Sequence, residues 1–181
     1  DWEKSATIGF KAEGEAILVV GGSCGEFGQS LWLREIHGRA EGPPPPVSLD
    51  NERRHGAFVR ALIDERLVTA VHDVSDGGMA VALAEMALAG SIGAQLSDWP
   101  ADWCPAALAF GEDQGRYLLT TRDPDAVTER AAGDEDLFVA RIGTTGGNAL
   151  ALGAMSIPLA DLRAAHEGFF PNLMGADAAL A

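Results

Sequence analysis

Residues 71–78 read Val-His-Asp-Val-Ser-Asp-Gly-Gly, and the acidic and hydroxyl side chains in this run have the types and spacing of a hard-oxygen ligand set. In extended backbone successive side chains alternate, so Asp73 and Ser75 share one face while His72 and Val74 share the other. Asp76 joins the first pair where the chain turns. Two carboxylates and a hydroxyl converging there suit Mg²⁺, whose remaining positions water and substrate phosphates usually fill. Gly77 and Gly78 let backbone approach a ligand closely, and a helix starting at this point aims its positive N-terminal end at the same place. A purely local reading competes: Asp76 caps the helix, Asp73 and Ser75 stabilise a turn, and His72 is a satisfied, half-buried residue.

A second polar run, Phe110 to Tyr117 (FGEDQGRY), sets Glu112, Asp113 and Gln114 between two glycines with Arg116 just beyond. Such a turn can present a carboxylate, an amide and a guanidinium to a polar ligand or a partner domain, or simply be an exposed polar turn. No Ser/His/Asp nucleophilic arrangement has spacing support. Gly21, Gly22, Gly25 and Gly28 match neither a Walker loop nor a dinucleotide loop, because the glycine spacing and the Lys-Ser/Thr ending are missing. No catalytic residue is assigned.

The surrounding pattern supplies elements to hold these turns. Glu15–Val20 reads as a buried strand, Gly28–His37 as a helix ending at Gly38, and Gly42–Pro46 (GPPPP) as an extended surface spacer. Asp50 is expected to cap a helix over Asn51–Arg66 with Phe58, Leu62 and Ile63 facing in. Leu67–Val71 reads as a strand delivering His72 and Asp73 to the turn. The helix that follows is apolar on nearly every side, with Gly90 in the C′ role and Glu85 as the lone polar side chain of Met79–Ala89, in need of a partner. Ile92–Leu96 returns as a strand, Ser97–Pro105 is irregular, and Tyr117–Thr121 is a strand. Asp123 with Pro124 opens a further helix. Leu137–Ile142 and Ala149–Ile157 flank the turn GTTGGN as two paired strands, and a last helix starts at Pro158–Leu159 with Leu162 facing in. This order, with adjacent strand pairs, predicts an α+β sheet with packed helices rather than a strict parallel βαβ array.

The chain of 181 residues is 47% hydrophobic, enough to bury one sizeable core, and residues 1–181 are expected to form a single domain. A net charge of −14 excludes the basic footprint that nucleic acid or an anionic membrane surface would require. No apolar run is long enough to span a bilayer and no secretory leader opens the chain, so a cytoplasmic location is expected. Cys24 and Cys104 have no CxxC partner and suggest neither zinc nor a disulfide framework; both are expected to be reduced and structural. The start at Asp1 instead of Met suggests a processed product or an excised domain.

The segments GFKAEGEAILVVGG, VHDVSDGGMAVALAEMALAG and FGEDQGRYLLTT together resemble the final domain of the large subunit of phosphoribosylformylglycinamidine synthases, from about Gly9 to Ile142. The resemblance implies the aminoimidazole ribonucleotide synthetase C-terminal fold, a mixed and largely antiparallel sheet with packed helices. It implies a part in the ATP-dependent conversion of formylglycinamide ribonucleotide to its amidine, using ammonia from a separate glutaminase subunit or domain. The residues that activate substrate would lie in N-terminal domains of the same synthetase, and this domain would complete a structural nucleotide site. A similar D-x-S-D-G segment in thiamine-monophosphate kinases carries ATP/ADP and Mg²⁺ binding onto Asp73, Ser75 and Asp76, with Gly77 and Gly78 beside the nucleotide. His72, Glu112, Gln114 and Arg116 would contact a polar ligand or another domain. Where the first half of the synthetase uses Glu-Ser-Gln toward substrate, Asp113 stands in the middle here and would repel a phosphate. EFGQSLW departs from the usual Leu-Gly-Gly-Ser-Glu around Ser30. A purely structural interaction domain, or a fragment of a thiamine-monophosphate kinase or selenophosphate synthetase, are the alternatives.

Overall fold

The computed structural model describes residues 4–96 and 105–175. In chain order the elements are β1 (Ala16–Val20), α1 (Leu31–His37), α2 (Leu49–Asp64), β2 (Ala70–Val74), α3 (Gly78–Gly90), β3 (Ala94–Leu96) and α4 (Pro105–Phe110). They continue with β4 (Arg116–Thr121), α5 (Pro124–Ala131), β5 (Val139–Thr145), β6 (Ala149–Leu152), β7 (Met155–Pro158) and α6 (Leu159–Met174). One seven-stranded sheet runs β2-β4-β1-β5-β3-β6-β7, antiparallel at every pairing except β3 with β6. This is the expected mixed, largely antiparallel α+β sheet.

β1 is the central spine, and all five of its residues are buried. Its alternation divides the core: Ile17 and Val19 face α3, α4 and α6 with Met79, Leu83, Met86, Leu108 and Leu159. Leu18 and Val20 face α2 and α5 with Phe58, Val59, Leu62 and Val127. Burying both faces explains why a strand of this kind reads as a continuous apolar run. The α6 helix docks its first half, with Arg163 donating to the Leu88 carbonyl at 2.9 Å, while Phe169, Phe170, Leu173 and Met174 at its far end are exposed.

Several boundaries differ from expectation for identifiable reasons. α1 starts three residues later than predicted, because Ser30 is its cap and Gln29 before it has φ +60°. Ser48, not Asp50, caps α2, and its Oγ accepts from the Asn51 N–H at 3.3 Å. That helix closes at Arg66, whose φ of +58° turns the chain so that the Leu67 N–H reaches the Leu62 carbonyl. Pairing to β4 then runs through Val74, so His72 and Asp73 lie inside the strand and not beyond it. Gly90 is the last residue of α3 rather than its left-handed cap; an added Cβ would meet the Phe10 carbonyl at 2.4 Å, and Ser91 takes the positive φ of +54°. No sequence signal marks α4, and Ser97–Cys104 lie outside the described residues.

The largest topological difference concerns β5 and β6, which do not pair with each other. β3 lies between them, because the turn after β5 clasps Gly93: its N–H donates to the Gly147 carbonyl at 2.8 Å and its carbonyl accepts from Gly146 at 2.7 Å. β6 pairs instead with β7. α5 agrees with its sequence signature, Asp123 accepting from the Ala126 N–H at 3.0 Å with Pro124 at the first helical position.

Candidate functional site

β2 and β4 are antiparallel neighbours, so the turn after β2 and the loop before β4 meet at one end of the sheet. Asp73 pairs with Tyr117 across the ladder and projects a side chain that is 70% exposed. Ser75 and Asp76 are also exposed, whereas Gly77 and Gly78 are buried beneath them. Both glycines have positive φ, +79° and +70°. At Gly78 a Cβ would additionally lie 2.6 Å from the Gly111 carbonyl oxygen, so the two loops touch through bare backbone. The Asp76 cap of the competing local reading does not form. The capping position is Gly77, no side chain of the turn bonds the helix start, and the Gly78 N–H donates to the Ser75 carbonyl at 3.0 Å.

The missing cap comes from the other loop. Glu112 Oε1 accepts from the Gly77 N–H at 2.8 Å and from the Leu31 N–H, at the start of α1, also at 2.8 Å. Asp113 is turned inward: its carboxylate accepts from Ser23 Oγ at 2.6 Å and from the Cys24 and Gly25 N–H groups at 3.1 and 3.2 Å. Arg116, 2% exposed, donates through Nε to the Asp113 carbonyl at 3.1 Å and through Nη2 to the Gly111 carbonyl. Burial lowers the Arg116 pKa from its ordinary value, with the nearby Asp113 and Cys24 acting in the opposite sense. Its guanidinium therefore braces the loop and is not displayed toward a ligand. Gln114 is exposed and folds back on the Glu112 carbonyl at 3.2 Å.

His72, on the opposite face of β2 from Asp73, meets α3. Its Nε2 lies 2.9 Å from Glu85 Oε2, the partner that the lone polar side chain of the apolar helix required. The ring's Nδ1 is 3.4 Å from Asp73 Oδ1 without hydrogen-bond geometry and is buried with no hydrogen-bond partner. This pair ties the strand to the helix that the turn joins.

Of the residues singled out from sequence, Asp73, Ser75 and Asp76 are exposed, whereas the bare faces of Gly77 and Gly78 are filled from within the protein, by Val81 and by the Gly111 carbonyl. Glu112 and Arg116 are committed to the scaffold. Sequence reasoning missed His55, whose Nδ1 lies 2.7 Å from the Gly115 carbonyl, and the stack of Trp32 on Phe110 at 4.3 Å. Neither has a local motif; both are contacts between segments far apart in the chain. Ser30 is a buried helix cap, accepting from the Leu33 N–H at 3.3 Å. Cys24 is a free, exposed thiol, and Cys104 is outside the described residues. Among the described residues no three His, Cys, Asp or Glu side chains form a group able to hold a metal, so the hard oxygens of Asp73 and Asp76 fit a divalent cation only as part of a larger ligand set.

The family of AIR synthase related proteins, C-terminal domain, matches residues 12–152. The chain belongs to this family. It is 52% identical over 177 residues to phosphoribosylformylglycinamidine synthase subunit PurL of Rhodopseudomonas palustris, a match covering 97% of the chain and 24% of that relative. The chain spans about a quarter of the length of the curated relatives it matches. Its fold is similar to solved structures of Thermotoga maritima PurL. With the complex with FGAR the TM-score is 0.70 at 18% identity, over 88% of this chain and 29% of that one. With the complex with ATP it is 0.67 at 18% identity, over 88% and 27%. No described helix is long and apolar enough to cross a membrane.

Proposed function

We propose that this chain is the C-terminal domain of a phosphoribosylformylglycinamidine synthase. That enzyme converts formylglycinamide ribonucleotide to its amidine with ATP and with ammonia from a partner glutaminase, in the cytoplasm. The observation that carries the reading is 52% identity, across nearly the whole chain, to a subunit of that name. The domain's own part is to form one wall of a nucleotide site and not to catalyse. Asp73 and Asp76 would share Mg²⁺ with nucleotide phosphates and with the N-terminal domains of the synthetase, and the ion would neutralise and orient those phosphates. Ser75 would hydrogen-bond the ligand, and Gly77 and Gly78 would bring the positive start of α3 close to a phosphate. Three exposed oxygen-bearing side chains beside two buried glycines support this assignment. The inward-turned Asp113 and Arg116 leave the neighbouring loop a supporting role.

The test uses the full-length synthetase carrying this domain, with Asp73→Asn and Asp76→Asn combined. Nucleotide released on denaturing the purified protein should fall strongly. The melting temperature should drop as well, because a ligand that binds only the folded state stabilises it by mass action. Catalysis should fall less than nucleotide content. Full occupancy with an unchanged melting temperature would leave the turn a structural element of an interaction domain. In a second arm, the 181-residue chain given substrate, ATP, Mg²⁺ and ammonia should produce no ADP above a blank.

A further inference from the structure

One oxygen of Glu112 serves two helices. The Leu31 N–H belongs to the first residue of α1 and the Gly77 N–H immediately precedes α3, and both donate to Oε1 at 2.8 Å. Each is a backbone donor that a helix start leaves without an internal partner. The two helices differ in what else secures them. α3 is embedded in the core through Met79, Leu83 and Met86, while α1 buries none of its seven residues. α1 and the stretch before it are held by the buried Ser30, the stack of Trp32 on Phe110, Glu112, and the Asp113 carboxylate on Ser23, Cys24 and Gly25; of these only Glu112 also reaches the Gly77 amide. The stretches flanking it, within residues 23–46, fold around it, the Gln29 N–H donating to the Glu41 carbonyl at 3.1 Å and Gln29 Nε2 to the Gly42 carbonyl at 2.9 Å.

We propose that Glu112 is a latch, a positioning residue that joins this strap over residues 23–46 to the Asp73–Gly78 turn so that the two hold one mutual geometry. A bond from a charged acceptor is stronger than a neutral one, and sharing a single oxygen makes the position of each amide depend on the other. Arg34 on α1 feels the turn's acids more weakly: its pKa is raised first by its hydrogen bond to Glu35 and also by Asp76 and Glu112. The latch stands without any ligand. If the turn binds nucleotide as proposed above, the strap's position becomes part of that site's shape.

The test is amide hydrogen exchange, resolved residue by residue, on the 181-residue chain in the absence of nucleotide. Glu112→Ala should accelerate exchange at both Leu31 and Gly77 by roughly tenfold or more, the loss expected for hydrogen bonds to a charged group, while Ile17 and Leu118 in the central strands keep their protection. Glu112→Gln retains a carbonyl acceptor and should restore most protection at both amides. Acceleration at one amide alone, or at neither, overturns the proposal. Should Glu112→Ala lose protection throughout the sheet, Glu112→Asp replaces it. The aspartate side chain is one methylene shorter and cannot span both donors, so undiminished protection at both positions in that variant would overturn the latch. Because the readout needs no ligand, its failure is distinct from failure of the nucleotide assignment.

Discussion

Asp73 and Asp113 stand at the ends of neighbouring antiparallel strands, yet the side chain of Asp73 is 70% exposed and that of Asp113 only 8%. Asp113 accepts from Ser23, Cys24 and Gly25 and faces the buried Arg116, with Arg116 Nη1 at 3.9 Å from its Oδ2. Asp73 has no such partners; the ring of His72, already bonded to Glu85, lies 3.4 Å from its Oδ1. Two acidic turns side by side therefore divide the work. One engages its carboxylate in internal hydrogen bonds, and the other leaves its carboxylate facing outward. Burial separates a scaffold carboxylate from a candidate ligand, which residue type alone does not do.

The largest test of this division is stability. Asp113→Ala should cost about 3–5 kcal/mol, because it strands a buried guanidinium and three donors, whereas Asp73→Ala should change stability by no more than about 0.5 kcal/mol. Urea unfolding of the two variants measures the contrast, and equal losses would erase it.

A middle-sized effect probes the contact between the loops. Gly78→Ala meets both a φ of +70° and the Gly111 carbonyl oxygen at 2.6 Å, and should cost about 2–4 kcal/mol. Gly14→Ala, with φ +82° and no atom within 4 Å of the added Cβ, should cost about 1 kcal/mol from conformation alone. Thermal melts that rank the two in the opposite order would mean the loops are not in contact.

The smallest effect tests whether Asp73 acts on its cross-strand neighbour Tyr117. Tyr117, the single tyrosine, has a raised pKa, chiefly from burial and further from Glu52 and Asp73. Its phenolate absorbance should therefore titrate above the range of free tyrosine and move down toward it in Asp73→Asn. The linked stability is complete below the unfolded-state pKa and is lost as pH rises through the higher folded-state value. An Asp73→Asn titration that coincides with the parent's would remove Asp73 from the surroundings of Tyr117.

Much of the fold was legible because it depends on local patterns. The apolar run at Ala16–Val20, the Asp123–Pro124 helix start and the lone Glu85 on an apolar helix all appear as read. The resemblance also led to the right sheet class. What was not legible depends on partners remote in sequence. Arg116 follows an acidic turn and looks available, but β4 carries it into the space beneath its own loop. Glu112 looks like a ligand residue until Leu31 and Gly77 are found on the same oxygen. Asp76 looks like a helix cap, but that role falls to Glu112 from another loop. The turn GTTGGN looks like a hairpin, yet reciprocal bonds with Gly93 admit β3 between its two strands.

The sequence by itself determined the element types, the apolar faces and the Asp73–Gly78 constellation, because hydrophobic period, helix-start signals and glycine placement act over a few residues. Only the tertiary structure decided which acidic groups remain free. A carboxylate is captured when backbone donors from distant segments converge on it, as they do on Glu112 and Asp113. It stays exposed when its strand edge faces outward, as at Asp73.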